Sequence, residues 1–245
     1  MSRAARQTSE TGIYHVVFRG INRQDIFEEN LDYEKLLEIM KDIREDINYE
    51  IYVYCLMSNH VHLMIKEHNP GEISLIMKKL LTRYVMWYNK KYERIGPLIA
   101  GRYKSVPIEI DDYFLCAVRY IHQNPVKSGI VESIEEYPWS SYGTYCGKED
   151  GITSKDFINE MFSGNDFKKF HQTDEREVFI VDDKIKLTDS AIRRAIMKEF
   201  DMEPKEISAL SKKDRNIVIS ALKEKYTIRE IERITGISRG IISRI

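Results

Sequence analysis

His60 and His62 flank a single valine in the run 60–66 (HVHLMIK), whose apolar and β-branched character reads as a strand. Alternate residues of a strand point to the same face. Both imidazoles then stand side by side, while Val61, Leu63 and Ile65 point the other way into a core. Two neighbouring neutral imidazoles can ligate one metal ion, although a lone histidine pair of this spacing also recurs without a metal. Tyr120 and Asn124 are four apart near the end of a stretch with helical periodicity, so they share a helix face. Opposite a histidine pair, a tyrosine with a nearby oxygen ligand can attack the phosphorus of a DNA strand. The metal would neutralise the phosphate and orient it for in-line attack. The Asn124 amide oxygen would be a third ligand without adding charge. Imidazole and oxygen ligation, with positions left for phosphate and water, suits Mg²⁺ or Mn²⁺. A free phenol has a pKa of about 10, so its oxygen needs help from the metal, a water or a basic neighbour. The competing reading makes Tyr120 a half-buried core residue and Asn124 a helix C-cap before Pro125. Gln123 is an alternative ligand, Tyr113 an alternative nucleophile, His122 a structural or surface residue, and His15 a satisfied sheet residue.

The elements that must position these residues follow from patterning. Residues 12–19 (GIYHVVFR) read as a strand, and 31–47 as an amphipathic helix with Leu36, Ile39, Met40 and Ile43 at helical spacing. Residues 49–57 form a second strand, Ser58 and Asn59 a two-residue turn, and 60–66 the returning strand of a hairpin. A long helix is expected over 73–94, and a fourth strand over 102–110 with Pro107 calling for an edge or a bulge. A helix over 111–123 should end at Asn124 and Pro125. The order β-α-β-β-α-β-α predicts an α+β fold, a ferredoxin-like antiparallel sheet with helices on one face. A C-terminal all-α, helix-turn-helix-like domain should follow. There Thr227 and Glu230 make a capping-box signature, Ile228, Ile231 and Ile234 an apolar stripe, and Gly236 to Ser238 a turn with a fresh N-cap. The expected domains are 1–146, an acidic, partly ordered linker 147–183, and a helical DNA-binding domain 184–245.

Charge is unevenly spread. Residues 78–104 hold eight basic side chains against one acid, Glu93, and 184–245 hold fifteen against nine, whereas 151–183 hold four against eight. Two basic regions around an acidic stretch suggest two surfaces for a polyanion, or two solvated helix faces. Lys78, Lys79, Arg83, Arg102 and Lys104, interleaved with Tyr84, Trp87, Tyr88, Tyr92 and Tyr103, could track a single strand. Arg19, Asn22 and Arg23, where the first strand gives way to a polar loop, suit phosphate contacts, as do Arg239 and Arg244 beside the C-terminal turn. Charged residues are 31% and hydrophobic ones 42%, which excludes a mainly disordered chain. No apolar run reaches the roughly 18 residues of a membrane span, and no secretory leader is read at the N-terminus. Three well-separated cysteines, Cys55, Cys116 and Cys146, argue against a disulfide framework and fit a cytoplasmic location.

Taken together, GIYHVVFRGINRQDIF, LMSNHVHLMIK, GRYKSVPIEIDDYFLCAVRYIHQNPVKSGIV and YPWSSYGTY resemble the single-tyrosine HUH transposases. The similarity is greatest to the REP-associated tyrosine transposases and runs over about 12–145. It implies that His60 and His62 are the HUH pair, Tyr120 the nucleophile and Asn124 the third ligand. The implied reaction cleaves single-stranded or hairpin DNA to a 5′-phosphotyrosine link and a free 3′-hydroxyl, then rejoins the strand without ATP. Members act as monomers or as homodimers sharing tyrosine helices, and both states stay open. Two other readings remain: a domesticated, non-catalytic DNA-binding regulator acting through the helix-turn-helix, and a metal-dependent hydrolase that uses the histidines but not Tyr120.

Overall fold

The computed structural model describes residues 7–109, 111–162, 166–172, 178–181, 184–187 and 189–245. The chain divides into two compact units, Met1–Glu109 with Ala117–Asp174, and Ile110–Cys116 with Glu175–Ile245.

In the first unit β1 (Ile13–Arg19), β2 (Tyr49–Met57), β3 (His60–Glu67) and β4 (Lys104–Pro107) form one antiparallel sheet in the order β2-β3-β1-β4. Helix α1 (Asn30–Asp46) links β1 to β2, and α2 (Glu72–Lys91) links β3 to β4. Each crossover skips one strand, which is the split βαβ arrangement of the ferredoxin-like expectation. β2 and β3 close at Ser58 and Asn59, with Met57 directly opposite His60. Pro107 lies on the edge strand β4, where its missing N–H disrupts no ladder within the sheet.

Alternation decides which side each strand residue serves. Tyr14, Val16 and Phe18 of β1 and Val61, Leu63 and Ile65 of β3 join Leu36 and Met40 of α1 and Ile76, Leu80 and Tyr84 of α2 in one buried core. Fully burying such side chains contributes about 1.5–3 kcal/mol each. The intervening residues of β1 and β3 are left for the opposite face. There α3 (Asp111–Lys127), which lies outside the repeat, supplies Tyr120.

The course of α3 differs from the expectation that Asn124 and Pro125 would end it. The helix continues through Pro125 to Lys127. Within the last turn a proline forfeits only the bond to the carbonyl four residues back, here Ile121, and its fixed φ still suits a helix. Asn124 is therefore inside the helix and is not its cap.

The expected boundary at 146 is also not where the first unit ends. Past α3 come α4 (Tyr142–Tyr145), α5 (Asp156–Asn159) and α6 (Asp166–Gln172), and Ile152, Ile158, Phe167 and His171 are buried. Thr153 bridges to Ile51 of β2. These anchors are too widely spaced to show a period, so the segment reads as linker although it is part of the fold.

In the second unit β5 (Val178–Val181) and β6 (Lys184–Leu187) pair as an antiparallel hairpin, which corrects the expectation of an all-helical stretch from 184. Helices α7 (Asp189–Phe200), α8 (Lys212–Lys225), α9 (Ile228–Thr235) and α10 (Arg239–Ile242) follow. Ile192, Ile196, Ile219, Leu222, Ile231, Ile234 and Ile242 are buried. The capping box forms, with the Glu230 N–H donating to Thr227 Oγ1 (3.3 Å) and the Thr227 N–H to Glu230 Oε2 (2.9 Å). Gly236 ends α9 at φ 75°, a left-handed conformation that glycine adopts without strain. Among the described residues no helix is long and apolar enough to cross a membrane.

Candidate active site

β3 places His60 and His62 on the sheet face away from the core, with ring centroids 5.0 Å apart. Across the ladders His62 stands between Val17 and Cys55, and His60 between Arg19 and Met57. The pair thus rises from the interior of the sheet, where neighbours on both sides fix the strand. His62 is buried. Burial first, then the charges of His15, His60 and Arg19, holds it well below the usual imidazole pKa, so it is neutral at physiological pH. The neutral ring is the form that ligates a metal.

The Nδ1 atoms of both rings are engaged. His60 Nδ1 lies 2.6 Å from Asn59 Oδ1, and His62 Nδ1 lies 3.0 Å from His15 Nε2. Nε2 of each ring is then the nitrogen that a metal would take.

Tyr120 approaches this face from α3. Its ring is 5.4 Å from His62 and 6.2 Å from His15, edge-on to both. The side chain is buried, and the Lys127 Nζ stands 5.3 Å from the ring centroid. Asn124, one turn beyond, donates from Nδ2 to the Tyr120 carbonyl at 2.9 Å, so Oδ1 is the end of the amide outside that bond. Among the described residues no three His, Cys, Asp or Glu side chains gather as a metal centre. The candidate donors are two imidazoles and an amide. They bring no charge of their own, which fits a divalent cation that completes its shell with phosphate and water oxygens.

The back of α3 is pinned by a buried polar chain. His122 Nδ1 lies 2.9 Å from His171 Nε2, and its Nε2 lies 2.8 Å from Ser141 Oγ. That hydroxyl oxygen also accepts the Tyr54 N–H of β2 at 2.9 Å. Burial pushes His122 well below the usual imidazole pKa and His171 down to about 4. His122 is therefore structural, as its position two past Tyr120 suggests. Tyr113 sits in the segment of α3 grouped with the second unit, and burial pushes its phenol up.

The basic candidates divide into those near the histidine face and those away from it. Arg19 is directly opposite His60, and Lys104 is opposite Val17, one strand beyond His62. Asn22 and Arg23 are exposed in the turn after β1, with left-handed φ of 52° and 61°. That turn is tied to the hairpin: the Gly20 N–H donates to the Asn59 carbonyl (2.8 Å), and Asn59 Nδ2 to the Arg23 carbonyl (3.3 Å). Arg102 is exposed just before β4. By contrast, Lys78, Lys79 and Arg83 belong to α2, on the core side of the sheet, so they are not brought to the histidines. Lys79 and Arg83 pair with Asp46 instead, at 2.9 and 3.3 Å. Tyr84, Tyr88 and Tyr103 are core residues, and Trp87 and Tyr92 pack against the core. Arg239 pairs with Glu232 at 2.7 Å, and Arg244 is exposed.

Two residues at the site, His15 and Lys127, carry no sequence signal of such a role. The period of β1 puts His15 on the face away from the core, but only the pairing register brings it to His62. Lys127 is seven past Tyr120, yet the expected helix stops before reaching it.

Comparison with known proteins agrees with this fold. Residues 8–124 match the model of the IS200-like transposase family. A REP-associated tyrosine transposase of Haemophilus influenzae is 27% identical over 155 residues, 58% of this chain and 86% of that protein. The solved structure of a REP-associated tyrosine transposase bound to a REP hairpin superposes with a TM-score of 0.51 at 18% identity, covering 67% of this chain and 92% of that one. That likeness extends to the fold, an α+β unit around a four-stranded antiparallel sheet. Over residues 8–124 the chain is similar to the IS200-like transposase family.

Proposed function

We propose that this chain cleaves and rejoins single-stranded DNA next to a hairpin, with Tyr120 as the nucleophile. The observation that carries the reading is the 5.4 Å edge-on approach of the Tyr120 ring to His62, on the face that also holds His60. The phenolic oxygen attacks phosphorus, the bond to the 3′-oxygen breaks, and that oxygen leaves as a hydroxyl after taking up a proton. The product is a 5′-phosphotyrosine. Attack by another 3′-hydroxyl reverses the step and restores the phenol, so no nucleotide cofactor is consumed. His60, His62 and Asn124 would hold a Mg²⁺ or Mn²⁺ ion, which when bound supplies charge neutralisation and orientation at the phosphate. Arg19, Asn22, Arg23 and Lys104 serve as phosphate contacts around this face. The short turn between α9 and α10, with Arg239 and Arg244 at its far side, supports a helix-turn-helix reading of the second unit as a separate DNA contact.

The test is incubation of labelled hairpin DNA bearing a single-stranded flank with Mg²⁺ or Mn²⁺, read on a denaturing gel. The chain should form a covalent adduct. Tyr120→Phe, which loses only a hydroxyl, should bind the DNA and form none. Binding without an adduct by the unaltered chain would favour the non-catalytic regulator, for which the helices α8 to α10 of the second unit speak. Hydrolysis that persists in Tyr120→Phe would favour the metal-dependent hydrolase.

A further inference from the structure

We propose that His15 is a positioning residue that sets the ring tautomer of His62, so that Nε2 of His62 carries the lone pair turned to a cation. The inference rests on the proposed metal role of His60 and His62.

His15 and His62 are diagonal neighbours on adjacent strands, since His15 is opposite Met64 and His62 is opposite Val17. Both are buried, at 1% and 3% exposure. Their rings stack at 5.3 Å with planes 7° apart, and His15 Nε2 lies 3.0 Å from His62 Nδ1. Wherever two imidazoles share one hydrogen bond as neutral rings, it has two solutions. Either His62 donates from Nδ1 and its Nε2 keeps a lone pair, or His15 donates from Nε2 and the proton of His62 sits on its own Nε2. In the second solution both nitrogens of His62 are used and the ring has nothing to offer a metal. Only the first allows ligation.

His60 provides the precedent within the same site. Asn59 Nδ2 donates to the Arg23 carbonyl, which turns Oδ1 toward His60 Nδ1 at 2.6 Å. An amide oxygen can only accept, so His60 donates from Nδ1 and its lone pair is on Nε2. His15 does for His62 what Asn59 does for His60. Partners of this kind fix the ring orientation and tautomer of metal-ligating histidines, and their loss typically costs 10–100-fold in metal affinity. His15 also meets Tyr120 edge-on at 6.2 Å, so one side chain sets both the ligand and the wall beside the nucleophile.

The experiment reads the tautomer in the metal-free full chain. Ring nitrogens of ¹⁵N-labelled protein are observed by long-range ¹H–¹⁵N correlation at pH 7.5, with His62 assigned by substitution. The expected spectrum shows His62 protonated at Nδ1. His15→Phe keeps a flat ring but removes the acceptor, and should move the proton to Nε2 or give a mixture of tautomers. His15→Gln restores an acceptor and should restore the Nδ1–H form. Mn²⁺ titration followed by electron paramagnetic resonance should show affinity about 10–100-fold weaker for His15→Phe, and recovered in His15→Gln. A wild-type His62 protonated at Nε2 overturns the inference with no variant needed, and so does an unchanged tautomer in His15→Phe. If the tautomer responds as expected while the wild type takes up no Mn²⁺, the positioning by His15 stands and the metal reading fails.

Discussion

Asn124 and Lys127 share α3 with Tyr120 but serve it differently. Asn124→Ala removes the bond to the Tyr120 carbonyl, which contributes about 1 kcal/mol, together with the proposed oxygen ligand. The expected result is a small drop in melting temperature and a large drop in adduct rate, with the rate partly recovered at high Mn²⁺. A rate unchanged at low Mn²⁺ would remove Asn124 from the ligand set. Lys127 holds a positive charge over the Tyr120 ring, and such contacts contribute about 0.5–2 kcal/mol. In the proposed reaction the phenol must lose its proton to attack, and the cation stabilises the phenolate so formed. Lys127→Met should slow adduct formation on the order of tenfold while leaving hairpin affinity nearly unchanged. Single-turnover rates measured beside binding curves separate the two effects, and a loss confined to affinity would make Lys127 a phosphate contact instead.

At the scale of elements, α3 is held to the sheet by neutral buried histidines, and that makes its anchorage sensitive to acid. Folding depresses the pKa of His122 and His171, the latter to about 4, from an unfolded value of about 6.5. The unfolded chain therefore binds more protons once the pH falls below about 6.5. Stability is full above that pH and is lost as the pH descends toward the folded values. At pH 5 the loss from His171 is about 2 kcal/mol, readable as a lower urea midpoint than at pH 7.5. His171→Gln should flatten the dependence, and equal slopes for the variant and the unaltered chain would show that the pair does not govern it. The legibility of elements followed the same division between local and long-range causes. β1, the β2–β3 hairpin and both crossover helices were readable because each carries its own period. The end of α3 was not, because a proline late in a helix costs one bond and the rule against it is only local. β5 and β6 were missed because four residues apiece give too short a pattern. His15 was missed because its partner is 47 residues away.

For the whole molecule, the placement of Ile152, Ile158, Phe167 and His171 sets where the chain can be cut. A fragment ending at Cys146 loses three large apolar anchors worth about 1.5–3 kcal/mol each, comparable with the whole stability of a domain. It should be insoluble or unfolded by circular dichroism. A fragment ending at Asp174 keeps them and should form the adduct with a short single-stranded flank. If the second unit grips duplex beside the cleavage site, the full chain should lose affinity with salt more steeply than this fragment. Salt titrations of both on one long hairpin substrate decide it, and equal affinities with equal slopes would mean that the second unit leaves that DNA alone.

The turn after β1 sets folding and work at odds. Asn22 and Arg23 both sit at positive φ, a conformation that costs a non-glycine residue about 1–2 kcal/mol. Glycine would relieve Arg23 of that strain, so selection for heat resistance alone should favour Arg23→Gly, with a melting temperature raised by a few degrees. The same change deletes a cation held next to the His60 hairpin, and DNA affinity should fall as stability rises. Thermostabilising libraries screened without DNA should therefore accumulate glycine at this position, and libraries screened for strand transfer should purge it. Enrichment of glycine under both screens would show that the side chain of Arg23 is dispensable.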